Sequence, residues 1–144
     1  HALTPDDQRR ALTCARNHLA DDGRFILDTW AARPSVIAKL LRKRKPSQIR
    51  YELPEENLTI VHTSSTTVDE FNQLLYEQHH IQEFDMRGQL TNEVQLPLTR
   101  SYTTAREMEN LLQAEGFQVD AVCGDFGGSP LEPDSTDMIW VLRK

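Results

Sequence analysis

The 144-residue chain carries 22 acidic against 16 basic side chains, a net charge of −6, which argues against a nucleic-acid surface and fits one domain with a single buried core. No apolar run approaches the ~20 residues of a membrane span, and nothing resembles a signal peptide. Cys14 and Cys123 fall in apolar stripes of a helix and a strand, which predicts buried free thiols, a reducing compartment and so a cytoplasmic protein.

The chain opens on His1 without an initiator methionine, as a processed, cropped or partial chain would. Thr4, Pro5, Asp6 and Asp7 form a helix entrance: a capping hydroxyl, proline at the first position, and acid where the helix dipole favours it. Ala11, Leu12, Ala15 and Leu19 make its buried stripe, and Asp21, Asp22 and Gly23 stop it. Arg24 to Trp30 reads as a strand in which Phe25, Ile26 and Leu27 are consecutively apolar, the pattern of a strand covered on both faces. Pro34 opens a second helix with Val36, Ile37, Leu40 and Leu41 at helical spacing. Its basic end, Arg42, Lys43, Arg44 and Lys45, reads as solvated.

From Gln48 to Tyr102 the period changes to two, with β-like runs over Leu58 to Val68, Phe71 to Asp85 and Gln89 to Tyr102. Arg87-Gly88 suits a hairpin turn, glycine supplying the positive φ. The expectation is an inserted antiparallel meander of three strands across residues 48–102 in a single domain. Thr104 and Glu107 then form a capping box, Met108, Leu111 and Leu112 an apolar stripe, and Gly116 a helix stop. Phe117, Val119, Ala121 and Cys123 alternate as a strand. Gly124 to Gly128 reads as a wide loop into a last strand, Met138 to Leu142.

These landmarks carry a resemblance. Arg100, Tyr102, Thr103, Leu111-Leu112, Gly116-Phe117 and Gly124-Asp125-Phe126, followed by Ser129-Pro130-Leu131 and the terminal Met138-Ile139-Trp140-Val141, resemble the C-terminal half of class I S-adenosylmethionine-dependent methyltransferases of the small-molecule group. The segment from Asp6 to Trp30 resembles that family's helix and fifth strand. The resemblance implies an α/β fold, a partial Rossmann-like methyltransferase sheet of local order 5-7-6, with the meander as a lid over the substrate pocket. It further implies S-adenosyl-L-methionine as cofactor and a small-molecule methyl acceptor as partner. The family's glycine-rich cofactor loop and ribose-holding acid have no counterpart here. No cofactor-binding residue is therefore assigned, and the chain alone is expected to be inactive.

The candidate substrate-binding residues are Arg100, Tyr102, Trp30, His62 and Asp125. Arg100 and Tyr102 continue the face of Leu90, Val94, Leu96 and Leu98, and a guanidinium ending an apolar row needs a carboxylate or phosphate. A salt bridge to Glu107 or Asp125 is the alternative to a substrate anion. Trp30 follows the strand at its carboxyl edge, where open α/β sheets place ligands, or is simple packing. In the resembled family the Gly124-Asp125-Phe126 turn faces the pocket. His62, His79 and His80 are the imidazoles available as a base, and adjacent His79 and His80 point to opposite faces. No Cys/His cluster has zinc spacing, and no catalytic residue is assigned. An exposed strand edge predicts either self-association, as a homodimer or by strand exchange, or membership of a longer chain. A non-catalytic ligand-binding or interaction module is the alternative function.

Overall fold

The computed structural model describes residues 2–43 and 45–144. In chain order the elements are α1 (Pro5–His18), β1 (Phe25–Trp30), α2 (Pro34–Arg42), β2 (Ser47–Leu53), β3 (Leu58–Asp69), β4 (Leu74–Asp85), β5 (Leu90–Ser101), α3 (Ala105–Ala114), β6 (Gln118–Cys123) and β7 (Asp137–Arg143). They divide into two compact units, His1–Val36 with Ser101–Lys144, and Ile37–Arg100.

The first unit holds a three-stranded sheet of order β1-β7-β6, with β7 antiparallel to both neighbours. This is the expected 5-7-6 arrangement. Met138, Trp140 and Leu142 alternate along β7 and face a core completed by Leu12 of α1 and by Met108 and Leu112 of α3. Phe25 and Phe117 meet in the same core with ring centroids 5.7 Å apart. The Trp140 indole donates to Thr29 Oγ1 at 3.1 Å, so the largest core side chain leaves no polar atom unsatisfied.

α1 and α3 start as their sequences dictate. Thr4 Oγ1 accepts the Asp7 amide while the Asp7 carboxylate accepts the Thr4 amide, and Thr104 and Glu107 repeat the exchange. Gly116, at φ 82°, ends α3, with the Phe117 amide donating to the Leu112 carbonyl at 2.9 Å.

Several burial expectations fail. Cys14 is a free thiol but exposed, and so is Ala11 of the expected stripe, because Leu12 is the buried residue of α1. Ile26 is 59% exposed, because β1 alternates in burial along its length rather than being enclosed on both faces. Arg42, Lys43 and Lys45 are exposed as expected, and Arg44 lies outside the described residues.

The second unit is an antiparallel sheet of order β2-β3-β4-β5. It has four strands rather than three: β2 pairs with β3 from Ser47↔Ser64 to Leu53↔Leu58. The β4–β5 turn closes at Gly88, φ 75°, with the Asp85 carboxylate accepting the Arg87 and Gln89 amides.

Gly124 closes the β6–β7 connection. A Cβ there would stand 2.3 Å from Ser135 Oγ and 2.9 Å from the Pro130 carbonyl. Gly124→Ala is therefore expected to lower stability by about 1–3 kcal/mol in urea unfolding, with the α1 and α3 signals lost in the same transition. An unchanged midpoint would mean the loop yields without cost.

Candidate functional site

In the first unit, β1 carries the chain to Ala31 and Ala32, both buried, and the Ala31 amide donates to the Thr136 carbonyl at 2.9 Å. These alanines and Met138 line a cleft of about 450 Å³ beside the first turn of α3, with Leu131 adding apolar wall and Arg33, Arg106 and Glu132 the charge. The cleft lies at the carboxyl end of β1, the edge where open α/β sheets bind ligands. Trp30 ends β1 opposite Asp137, and its successors rather than its ring line the cleft. Tyr102 is half-buried just beyond β5, past the last residue to which strand alternation applies.

Asp125 is exposed and organises its own loop. The Ser129 side chain, and then the Ser129 amide at 3.1 Å, hold its carboxyl below the usual carboxylate range. Its folded pKa lies below the unfolded one, so its contribution to stability is present above the unfolded value and lost as pH falls through the folded value.

In the second unit, strand register gathers a polar row. Ile49 lies opposite His62, His62 opposite Ile81, and Ser64 opposite His79. His79 and Glu77 are two and four residues along β4 from Ile81, so they share the face of His62. His62 Nε2 and His79 Nδ1 are 3.0 Å apart. The ring centroids are 5.2 Å apart and the planes 22° from parallel. That separation is close to the N···N distance plus the two ring radii, so the imidazoles meet edge to edge, nitrogen to nitrogen, with little face overlap.

His79 Nε2 lies 4.0 Å from Glu77 Oε2, too far for a hydrogen bond. Glu77 in turn accepts two bonds from Arg100, from Nε and from Nη2, each 2.8 Å. This is the bidentate fork a guanidinium makes with a carboxylate. On the opposite face His80 pairs with the Glu93 carboxylate, so the neighbouring histidines diverge as their parity requires.

The carboxylate that Arg100 demands is thus present, in Glu77. The sequence holds a weak signal for it, since Glu77 is charged in a row it shares with Leu75 and Ile81; in the fold its side chain is only 12% exposed. Of the five candidate residues, His62 and Arg100 join one connected cluster through His79 and Glu77. Among the described residues, no three metal-ligating side chains converge.

No family model matches the sequence, and no curated protein does. Solved structures do. The CcbJ methyltransferase from Streptomyces caelestis matches with TM-score 0.73 and 20% identity, over 99% of this chain and 51% of that one. The sugar N-methyltransferase KedS8 from Streptoalloteichus sp. ATCC 53650 matches with TM-score 0.67 and 17% identity, over 99% and 51%. The SAM-bound amino pentose methyltransferase CalS10 from Micromonospora echinaspora matches with TM-score 0.62 and 19% identity, over 98% and 52%. The fold is a methyltransferase fold. The chain spans about half the length of these structures.

For the cofactor of such proteins the described residues offer no cradle. β1 reaches α2 through Ala31, Ala32 and Arg33, without glycine, and the glycines after β6 lead to β7 rather than to a helix. No helix is long and apolar enough to cross a membrane among the described residues.

Two substitutions test these assignments. Ser129→Ala should raise the Asp125 pKa towards the ordinary carboxylate value in a carboxyl-carbon NMR titration; an unmoved midpoint would show that the hydroxyl is not what holds it. Arg100→Ala should cost about 1–2 kcal/mol in urea, since it strands a mostly buried carboxylate while the lost partner was itself part-exposed. Arg100→Lys should recover only part of this, lacking the fork.

Proposed function

We propose that these residues are the acceptor-side portion of an S-adenosylmethionine-dependent methyltransferase that methylates an amine of a small molecule, with the cofactor held outside residues 1–144. The observation that carries this reading is the match of 99% of the chain, at TM-score 0.73, to half of a methyltransferase. The choice of amine follows from KedS8, a sugar N-methyltransferase, and CalS10, an amino pentose methyltransferase.

Acceptor recognition falls to the polar row of residues 37–100. Arg100 is engaged by Glu77 on two of its nitrogens, so the row presents imidazole and carboxylate rather than an open guanidinium. That suits a hydrogen-bonding or cationic group better than a phosphate. Methyl transfer asks little of such a site beyond positioning and, for a protonated acceptor, a base.

Titration calorimetry with S-adenosylmethionine and S-adenosylhomocysteine, on this chain and on the longest natural chain containing it, is the test. The longer chain is expected to bind both and to add 14 mass units (about one CH₂) to an amino sugar in a mass-spectrometric assay, and residues 1–144 to bind neither. Binding by neither chain would overturn the reading in favour of a ligand or interaction module.

A further inference from the structure

The edge-to-edge imidazole pair can be read one hydrogen at a time. A neutral imidazole has one N–H and one lone pair, so an N···N distance of 3.0 Å requires one ring to donate and the other to accept. The direction is set from the far end. Arg100 holds Glu77 with two 2.8 Å bonds, as it would an ionised carboxylate. That carboxylate lies 4.0 Å from His79 Nε2. A lone pair facing it would be repelled, so His79 carries its hydrogen on Nε2 and its lone pair on Nδ1. His62 must then donate from Nε2, which leaves its Nδ1 as the lone-pair nitrogen.

We infer that His62 Nδ1 is the base that deprotonates the amine acceptor, with His79 as the positioning residue and Glu77 and Arg100 fixing the tautomer of the pair. This rests on the methyl-transfer reading above. An ammonium has no lone pair to attack with. In the step proposed, one N–H bond of the ammonium breaks, its electron pair stays on nitrogen, and the proton bonds to His62 Nδ1. The products are a neutral amine and an imidazolium, with no oxidant or reductant involved.

The surroundings fit a base at this position. Ile49 and Ile81 flank His62 on either side, while His62 and His79 stay partly exposed. The titratable and charged groups sharing this face of the sheet are Tyr51 on β2, Glu77, Glu83 and Asp85 on β4, and Arg100 on β5. Of these only Glu77 contacts the imidazole pair, and the Arg100 fork balances its charge. His80, on the other face, serves as an internal control.

The test uses the longest natural chain containing these residues. Long-range ¹⁵N–¹H NMR of the imidazoles should find both His62 and His79 as Nε2–H tautomers, and His79→Phe should turn His62 into a tautomer mixture while His79→Gln, which keeps an acceptor, should not. In methyl transfer to an amino sugar, His62→Asn should lower kcat by about 100-fold, and His80→Asn should leave it unchanged. An active wild type matched by an equally active His62→Asn overturns this inference alone. His62 found with its hydrogen on Nδ1 overturns it whatever the activity. A wild type that methylates no amine overturns the methyl-transfer reading, and this one with it.

Discussion

Everything in the first unit depends on β7 sitting between β1 and β6. Those two strands run the same way and share no hydrogen bonds; β7 meets both antiparallel, from Phe25↔Leu142 on one side to Gln118↔Arg143 on the other. The same strand supplies the alternating Met138, Trp140 and Leu142 on which α1 and α3 pack. Backbone pairing and side-chain burial therefore coincide on one segment, and a slip by one residue would lose both at once. β6 meets β7 from nearby in sequence, but β1 joins the sheet only through contacts more than 100 residues apart, such as Thr29 with Trp140. Such contacts form late and slow folding.

The second unit obeys a different constraint. Its sheet brings a guanidinium, a carboxylate and two imidazoles onto one face among isoleucines, and each is placed where another answers it. Isolated, any of the four would be costly to cover. Connected, they form a row that ends on an ion pair. The contacts that satisfy these polar groups are the same ones on which the proposed direction of the imidazole hydrogens rests.

What could be read in advance was short-range. The Thr4 cap, the Thr104–Glu107 capping box, the Gly116 stop and the Gly88 turn are each set by residues within five positions of one another, and each stands where the sequence puts it. The sheet order 5-7-6 was legible only through resemblance, since no local pattern says that the last strand enters between two others. β2 escaped notice because Ile49, Tyr51 and Leu53 follow directly on a basic run and Pro46, where charge and proline obscure the alternation. Parity placed Arg100 correctly as needing a carboxylate. It could not supply Glu77, 23 residues away, because the choice among partners is made by strand register. Cys14 shows the limit of periodicity from the other side: an apolar position in a stripe is buried only if another element arrives to cover it.

One detail of β6 reaches beyond packing. Between Val119 and Ala121 the strand advances two residues while β7 advances one, so Asp120 is surplus to the ladder. Its carboxylate lies 3.1 Å from Arg24 Nε and 3.0 Å from Arg143 Nε, the latter paired in charge although its N–H is not aligned for a hydrogen bond. The surplus residue is what lets Val119 and Val122, three positions apart, both pack against the core. Deleting it would leave Val119 opposite Leu142 and Val122 opposite Trp140, each on the face it already has, so the loss would fall on the carboxylate that two arginines share rather than on the packing of the strand.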